Sequence, residues 1–340
     1  MVEKSINKNV PEILCSINRF INKVNIPGIA IGDALLIVFF SIMSDRFLSS
    51  YNLLSILRNS CTLMIAAVGL TWVILMSQNN VSVGAVVSMA AVMVPILNNK
   101  GLPMGIVLVM PMLMGLLVGF INGFLIAKMK FDYWVVTFGT MSLMTGLALV
   151  VANGETISTT SKFLNFIGNG KFAGIYIIIW LTAILVSIML LIQRKTKFGY
   201  NIYSIGGSEN VAAISGINVV DTRIKVHMIS GLLAAIAGMA TACMNVAGSP
   251  TVGNDYSFNA MAAVVLGGTA FAGGKGGIIG TVFGTLMLRI LASGLSMMDI
   301  DSTWQKAIIG LVIVTLIVAD VLNDQRKAVK GSRRIYRDVI

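Results

Sequence analysis

Long apolar stretches alternate with short polar ones along almost the whole chain. Taken as spans, the apolar stretches fall at about 26–43, 54–77, 81–97, 104–127, 132–152, 174–192, 225–247, 257–272, 277–297 and 303–321. Most approach the roughly 20 residues that an α-helix needs to cross a ~30 Å hydrocarbon layer. The pattern predicts an all-α polytopic membrane protein of about ten transmembrane helices, with a membrane body over 26–321 and polar segments at 1–25 and 322–340. An even number of spans puts both termini on one side.

Two places interrupt the apolar pattern where membrane depth is expected. The first is Ser77-Gln-Asn-Asn-Val-Ser-Val-Gly84, and the second is Leu266-Gly-Gly-Thr-Ala-Phe-Ala-Gly-Gly-Lys-Gly-Gly277. Amide side chains and dense glycine predict non-helical backbone, which is tolerated there only under a cover of protein or beside a water-filled cavity. Discontinuous helices of this kind surround transport paths. The residues expected along such a path are Asn80, Ser82, Gly84, Asn259, Thr269 and Arg289. Ala66-Ala67-Val68 precedes Gly84 at the spacing by which Ala262-Ala263-Val264 precedes Gly280, which predicts a parallel internal repeat.

The longest polar insert with features of its own is Gln193–Lys225. Gly206 and Gly207 free the backbone, Ser208 suits a helix N-cap, and Glu209–Ser215 predicts two helical turns closed by Gly216. Val211 and Ile214 fall on one face of it. Two turns do not hold themselves together in water, so this apolar edge must rest on the body or on another protein.

Composition fixes the class. With 56% hydrophobic and 11% charged residues over 340 positions, soluble globular usage is excluded. The formal net charge of +11 would suggest nucleic acid in a soluble protein, but here it follows the membrane topology. With the N-terminus inside, segments 1–25, 78–80, 128–131, 193–225, 273–276 and 322–340 are cytosolic and hold eighteen of the 25 Lys and Arg. The positive-inside rule therefore predicts this orientation, and no nucleic-acid partner is needed. The basic tail is expected to touch anionic lipid headgroups.

Small residues recur at four-residue spacing, from Gly115 through Gly119 to Gly123, from Ala234 to Gly238 and from Gly280 to Gly284. They predict close backbone packing between helices in lipid. Chemistry is sparse by comparison. Cys15, Cys61 and Cys243 lack pairing or ligand spacing, and His227, at the start of a span, is expected to be structural. Gly274-Lys275 would complete a phosphate loop only with glycine at Thr269 and a hydroxyl at Gly276, so no ATP site is expected on this chain. No metal site or paired catalytic groups are expected either.

Five motifs in order carry a family resemblance: Asn52-Leu-Leu-Ser-Ile-Leu, Asn80-Val-Ser-Val-Gly84, Val136-Thr-Phe-Gly-Thr140, Phe198 through Gly207 with Ala212, Ala213, Ser215 and Gly216, and Ala262 through Thr269 with Gly273–Gly276. Together they resemble the membrane permease subunit of ribose/xylose-type bacterial ABC sugar importers. The resemblance implies a dimerising ten-helix permease in the bacterial cell membrane, resting on cytosolic ABC ATPase subunits that bind ATP and magnesium. It also implies an extracytoplasmic solute-binding protein that delivers a sugar or sugar-like solute. The second permease subunit is the same chain or a different one. The segment Gly206, Gly207, Ser208, Glu209, Ala212, Ala213, Ser215 and Gly216 matches the loop that docks the ATPase, so a bulky charge at Ala212 or Gly216 is expected to uncouple transport.

The chain departs from that family where neutral Asn80, Ser257 and Asn259 replace its usual carboxylates, and where Arg289 adds a cation. Arg289 is expected to face a cavity, reach the outer interface or pair with Asp299 or Asp301. A secondary transporter or channel working without an ATPase fits the composition too, but it leaves the docking loop idle.

Overall fold

The computed structural model describes residues 28–301 and, beyond them, 303–305, 307, 308, 310, 311, 314, 315 and 318. The segments 1–25 and 322–340, and much of the expected span 303–321, lie outside the described residues.

The main helices are α1 (Gly28–Met43), α2 (Ser50–Leu75), α3 (Val83–Asn99), α4 (Met104–Ala127), α5 (Tyr133–Ala152), α6 (Lys162–Asn169), α7 (Ile177–Lys195), α8 (Lys197–Gly207), α9 (Glu209–Ile214), α10 (Val219–Asn245), α11 (Tyr256–Leu266) and α12 (Ile278–Met297). Six of them, α2, α4, α5, α7, α10 and α12, are long and apolar enough to cross a membrane. Three shorter apolar helices accompany them, within α1 and at α3 and α11. The chain is a multi-pass membrane protein on this ground.

Most expected spans coincide with helices to within a few residues. The expected span 257–272 does not, because its helix stops at Leu266. Gly268 takes φ +81°, a left-handed conformation that ends the helix although Ala270, Phe271 and Ala272 remain apolar. At 1.5 Å per residue, the 11 residues of α11 reach about 16 Å, half a bilayer. The internal repeat is matched only in part. Helices begin at Val83 and Ile278, near corresponding positions, but α2 runs on well past Ala66-Ala67-Val68 whereas α11 ends soon after Ala262-Ala263-Val264.

The polar stretch 153–173 between two expected spans is more ordered than its polarity suggests. It carries α6 and two small antiparallel pairings: β1 (Ile157–Ser158) with β4 (Ala247–Gly248), and β2 (Lys171–Phe172) with β3 (Ile175–Tyr176). Arg58 of α2 ties this region down, donating to the Gly168 and Met244 carbonyls and to Asn169 Oδ1, with its guanidinium 5.1 Å from the Tyr176 ring centre.

α10 is the central helix, and α4 lies along it backbone to backbone. A Cβ at Gly115 would strike the Gly231 carbonyl, one at Gly119 the His227 carbonyl, and one at Gly123 the Ile224 backbone. Close approach replaces a hydrophobic driving force, since lipid tails are as apolar as the side chains. The same holds where Gly280 and Gly284 bring α12 against Gly267 and Ala263. On the outside of the bundle, Leu113, Leu117, Val135, Leu143, Val150, Ile184 and Leu191 of α4, α5 and α7 are exposed, as helices facing acyl chains require. α1 packs on α12 through Phe40, Met287 and Leu291.

Candidate functional site

The first interruption is held by side chains. Asn80 Oδ1 accepts from the Ser82 amide at 3.1 Å and hydroxyl at 2.6 Å, while Asn80 Nδ2 donates to Ser230 Oγ of α10 at 3.4 Å. Asn122 of α4 donates to Ser82 Oγ at 3.0 Å and accepts from Thr140 of α5 at 2.6 Å. Ser257 of α11 closes the far edge, accepting from Gly84 N at 2.8 Å and donating to the Val81 carbonyl at 2.6 Å. Gln78 Oε1 sits 3.1 Å from His227 Nε2, which gives the lone histidine a structural partner. Every residue from Gln78 to Gly84 is buried. A neutral amide at position 80 and a hydroxyl at 257 thus satisfy this backbone without placing a charge in the membrane.

The second interruption is held mostly by backbone. Gly268, Gly273, Gly274, Gly276 and Gly277 all have positive φ, and much of the stretch is exposed. Buried Thr269 steadies it by accepting from Gly277 N at 3.2 Å. The two interruptions meet: Gly274 N donates to the Leu75 carbonyl at 2.9 Å, and Ser77 Oγ donates to the Ala272 carbonyl at 2.6 Å.

The Gln193–Lys225 insert rests on this junction. Ser208 does cap α9, accepting from Val211 N at 3.4 Å, and Gly216 follows α9 with φ +83°. Gly206 and Gly207, expected to loosen the backbone, form the last turn of α8 instead. Gly206 is there for close approach, because a Cβ would enter the Leu75 carbonyl and the Gly274 amide. Ala213 lies on the exposed side of α9, while Ala212 is 2% exposed and packs α9 onto the body. Val211 and Ile214 are left 62% and 88% exposed. A charge at Ala212 would therefore disturb packing, and a side chain at Gly216 would strain the backbone, so neither position probes a partner surface cleanly.

Several residues that the polarity pattern passed over complete the junction. Gln193, in a Gln-Arg-Lys run that reads as solvated, is buried. Its Oε1 accepts from Ile278 N at 3.2 Å and Trp72 Nε1 at 3.5 Å, and its Nε2 donates to the Tyr203 hydroxyl. Tyr203 in turn donates to the Gly276 carbonyl at 2.7 Å. A first-turn N–H of α12 is thereby satisfied by a side chain from α7, since Gly277 at its N-cap has none to offer. Glu209 of α9 forms a two-pronged ion pair with Arg223 of α10, at 2.8 and 2.9 Å. The signal for this pair was present in the sequence only as opposite charges on either side of a predicted turn.

At their other ends, α2, α10, α11 and α12 surround a cavity of about 480 Å³. Arg289 lines it, and Thr62 and Tyr256 join across it through their hydroxyls at 2.8 Å. Among the described residues Arg289 forms no ion pair with Asp299 or Asp301. The Asp301 carboxylate instead accepts from Thr303 N at 2.8 Å, and that contact with the amide and then the hydroxyl of Thr303 holds its pKa below the ordinary value. Of the expected path residues, Asn80, Ser82 and Gly84 share one network, Thr269 belongs to the other interruption, and Arg289 alone reaches the cavity. Asn259 is half-buried and makes no side-chain hydrogen bond with the described residues. Three helices thus connect the two places. α2, α10 and α12 touch the insert junction at one end, through Leu75, Arg223 and Ile278, and line the cavity at the other.

Comparison with known proteins agrees with this architecture. Residues 52–317 match the family described as the permease component of the branched-chain amino acid transport system. The ribose import permease of Haemophilus influenzae is 35% identical over 290 residues, covering 84% of this chain and 90% of that protein. The ribose import permease of Bacillus subtilis is 34% identical over 295 residues, covering 86% and 92%. The xylose transport system permease of Escherichia coli is 30% identical over 354 residues, covering 86% and 90%. No solved structure matches the chain. The likeness to ribose and xylose permeases carried by five short motifs therefore extends over 84–86% of the chain, and the chain belongs to the permease family of these transport systems.

Proposed function

We propose that this chain is the transmembrane permease subunit of an ATP-driven ABC importer in a bacterial cell membrane. Its cargo is a sugar or sugar-like solute, handed over by an extracytoplasmic binding protein, and the working unit contains a second permease subunit. ATP and magnesium are held by cytosolic ATPase subunits. The observation that carries this reading is the geometry of α9: a six-residue helix with Val211 and Ile214 exposed, fixed to the body through Ala212 and the Glu209–Arg223 pair. An apolar edge on so short a helix calls for a covering partner. The positive-inside rule puts it on the cytosolic side, where an ATPase is found.

The transport cycle follows from what α9 and α8 touch. Movement of an ATPase against α9 reaches α10 through Arg223, and reaches α12 and α2 through the Tyr203–Gln193 contacts and Gly206. Those three helices, with α11, line the cavity on the extracytoplasmic side, so a rigid shift at one face alters access at the other. The test is co-purification of an ATPase when the chain is expressed together with its neighbouring genes. Capture by the unmodified chain, with loss in the double variant Val211→Asp and Ile214→Asp at unchanged protein level, is expected. Failure of the unmodified chain to capture any ATPase removes the main support, and a channel or secondary transporter becomes the better reading.

A further inference from the structure

The charge and lining of the extracytoplasmic cavity point to a narrower class of cargo. About 480 Å³ falls within the ~300–1,000 Å³ usual for small-molecule sites. Arg289 is the one charged residue among the described residues lining it, and no carboxylate is among them. The Arg289 Nε is buried and has no hydrogen-bond partner among the described residues. A guanidinium carries five N–H donors and cannot shed its proton, so a cation left unpaired on a membrane cavity wall requires a counter-ion or water. Its planar fork matches a carboxylate or phosphate in a two-point contact. Around it, Asn59, Asn245, Ser296, Gln305 and the Thr62–Tyr256 hydroxyl pair offer neutral donors and acceptors of the kind that sugar hydroxyls use.

We infer that the cavity binds a monosaccharide-sized polyhydroxy solute bearing one anionic group, with Arg289 holding the anion and the amide and hydroxyl side chains holding the hydroxyls. The inference rests on the importer reading, because it takes the cavity as the place that receives cargo. The test uses the full chain in nanodiscs and measures binding of D-glucuronate, D-glucose, glucose 6-phosphate and inorganic phosphate by calorimetry at matched ionic strength. Glucuronate or glucose 6-phosphate is expected to bind at least tenfold tighter than both glucose and inorganic phosphate, and the better of the two identifies the anion. Arg289→Gln is expected to abolish that preference, with Arg289→Lys intermediate because it keeps the charge and loses the fork.

Equal binding of glucose, equal binding of bare phosphate, or no binding of either charged sugar by the unmodified chain overturns the inference even if Arg289→Gln does not fold. Unchanged preference in a folded Arg289→Gln protein overturns it too. Capture of the ATPase, scored on the same preparation, separates the two claims. Capture without anion preference defeats the cargo inference alone, and anion preference without capture defeats the importer reading alone.

Discussion

The two interruptions of the bundle look alike as sequence and are built in opposite ways. The first, 77–84, is wrapped by α4, α5, α10 and α11, and its polar atoms are answered by Asn80, Ser82, Asn122, Ser230 and Ser257. The second, 266–277, is a glycine backbone with five positive φ angles, half open to its surroundings and steadied by Thr269, Gln193 and Tyr203. Breaking helical backbone in a membrane obliges something to satisfy the freed N–H and C=O groups. Side chains from several helices do so in the first; the second relies on Thr269 within it, on Leu75 and Ser77 beside it, and on Gln193 and Tyr203 of the polar insert. The first interruption is therefore an anchor, and the second is the place where the α8–α9 segment takes hold of the bundle.

This contrast orders the expected effects of substitution. Asn80→Leu should be the most damaging, since it strips partners from Ser82 and Ser230 inside the buried network, at about 1–3 kcal/mol for each polar group left unsatisfied. Thermal melting in detergent would register it as a large drop or as loss of folded protein. Gln193→Leu comes next. It removes the acceptor for Ile278 N and Trp72 Nε1, costing on the order of 2 kcal/mol, and it should loosen the start of α12 while leaving 77–84 intact.

Tyr203→Phe should cost about 1 kcal/mol, because it deletes one hydroxyl and its contacts to Gly276 and Gln193. Its signature is functional: solute uptake per ATP hydrolysed should fall in proteoliposomes carrying the captured ATPase. Glu209→Gln should change melting least, by about 0.5 kcal/mol, since Glu209 is half exposed. A lowered uptake-to-hydrolysis ratio without a stability change would mark the Arg223 pair as a transmission contact, and an unchanged ratio would reduce it to surface decoration.

How much of this was legible depended on distance along the chain. The interruptions were readable because glycine density and Asn-Asn act locally, and the Ser208 cap and Gly216 stop follow from the same short-range rules. α8 was not readable. Its sequence, Lys-Phe-Gly-Tyr-Asn-Ile-Tyr-Ser-Ile-Gly-Gly, has three glycines and little helix preference. It is held by contacts that no local pattern announces, among them Gly206 against the Leu75 carbonyl more than a hundred residues away. Gln193 was hidden for the same reason: beside Arg194 and Lys195 it reads as solvated, yet folding turns it inward to meet Ile278. At the cavity, Arg289 was legible as an anomaly, while its neighbours on α2, α10 and α11 became visible only once the helices were assembled.

On this contrast, the α8 segment governs the second interruption and not the first. Amide hydrogen exchange on the full chain in nanodiscs, comparing the unmodified protein with Tyr203→Phe, tests this most directly. Faster exchange confined to 266–278, with 77–84 as protected as before, is the predicted result. Equal acceleration of both stretches, or no change in either, would mean that α8 does not control the second interruption separately from the first.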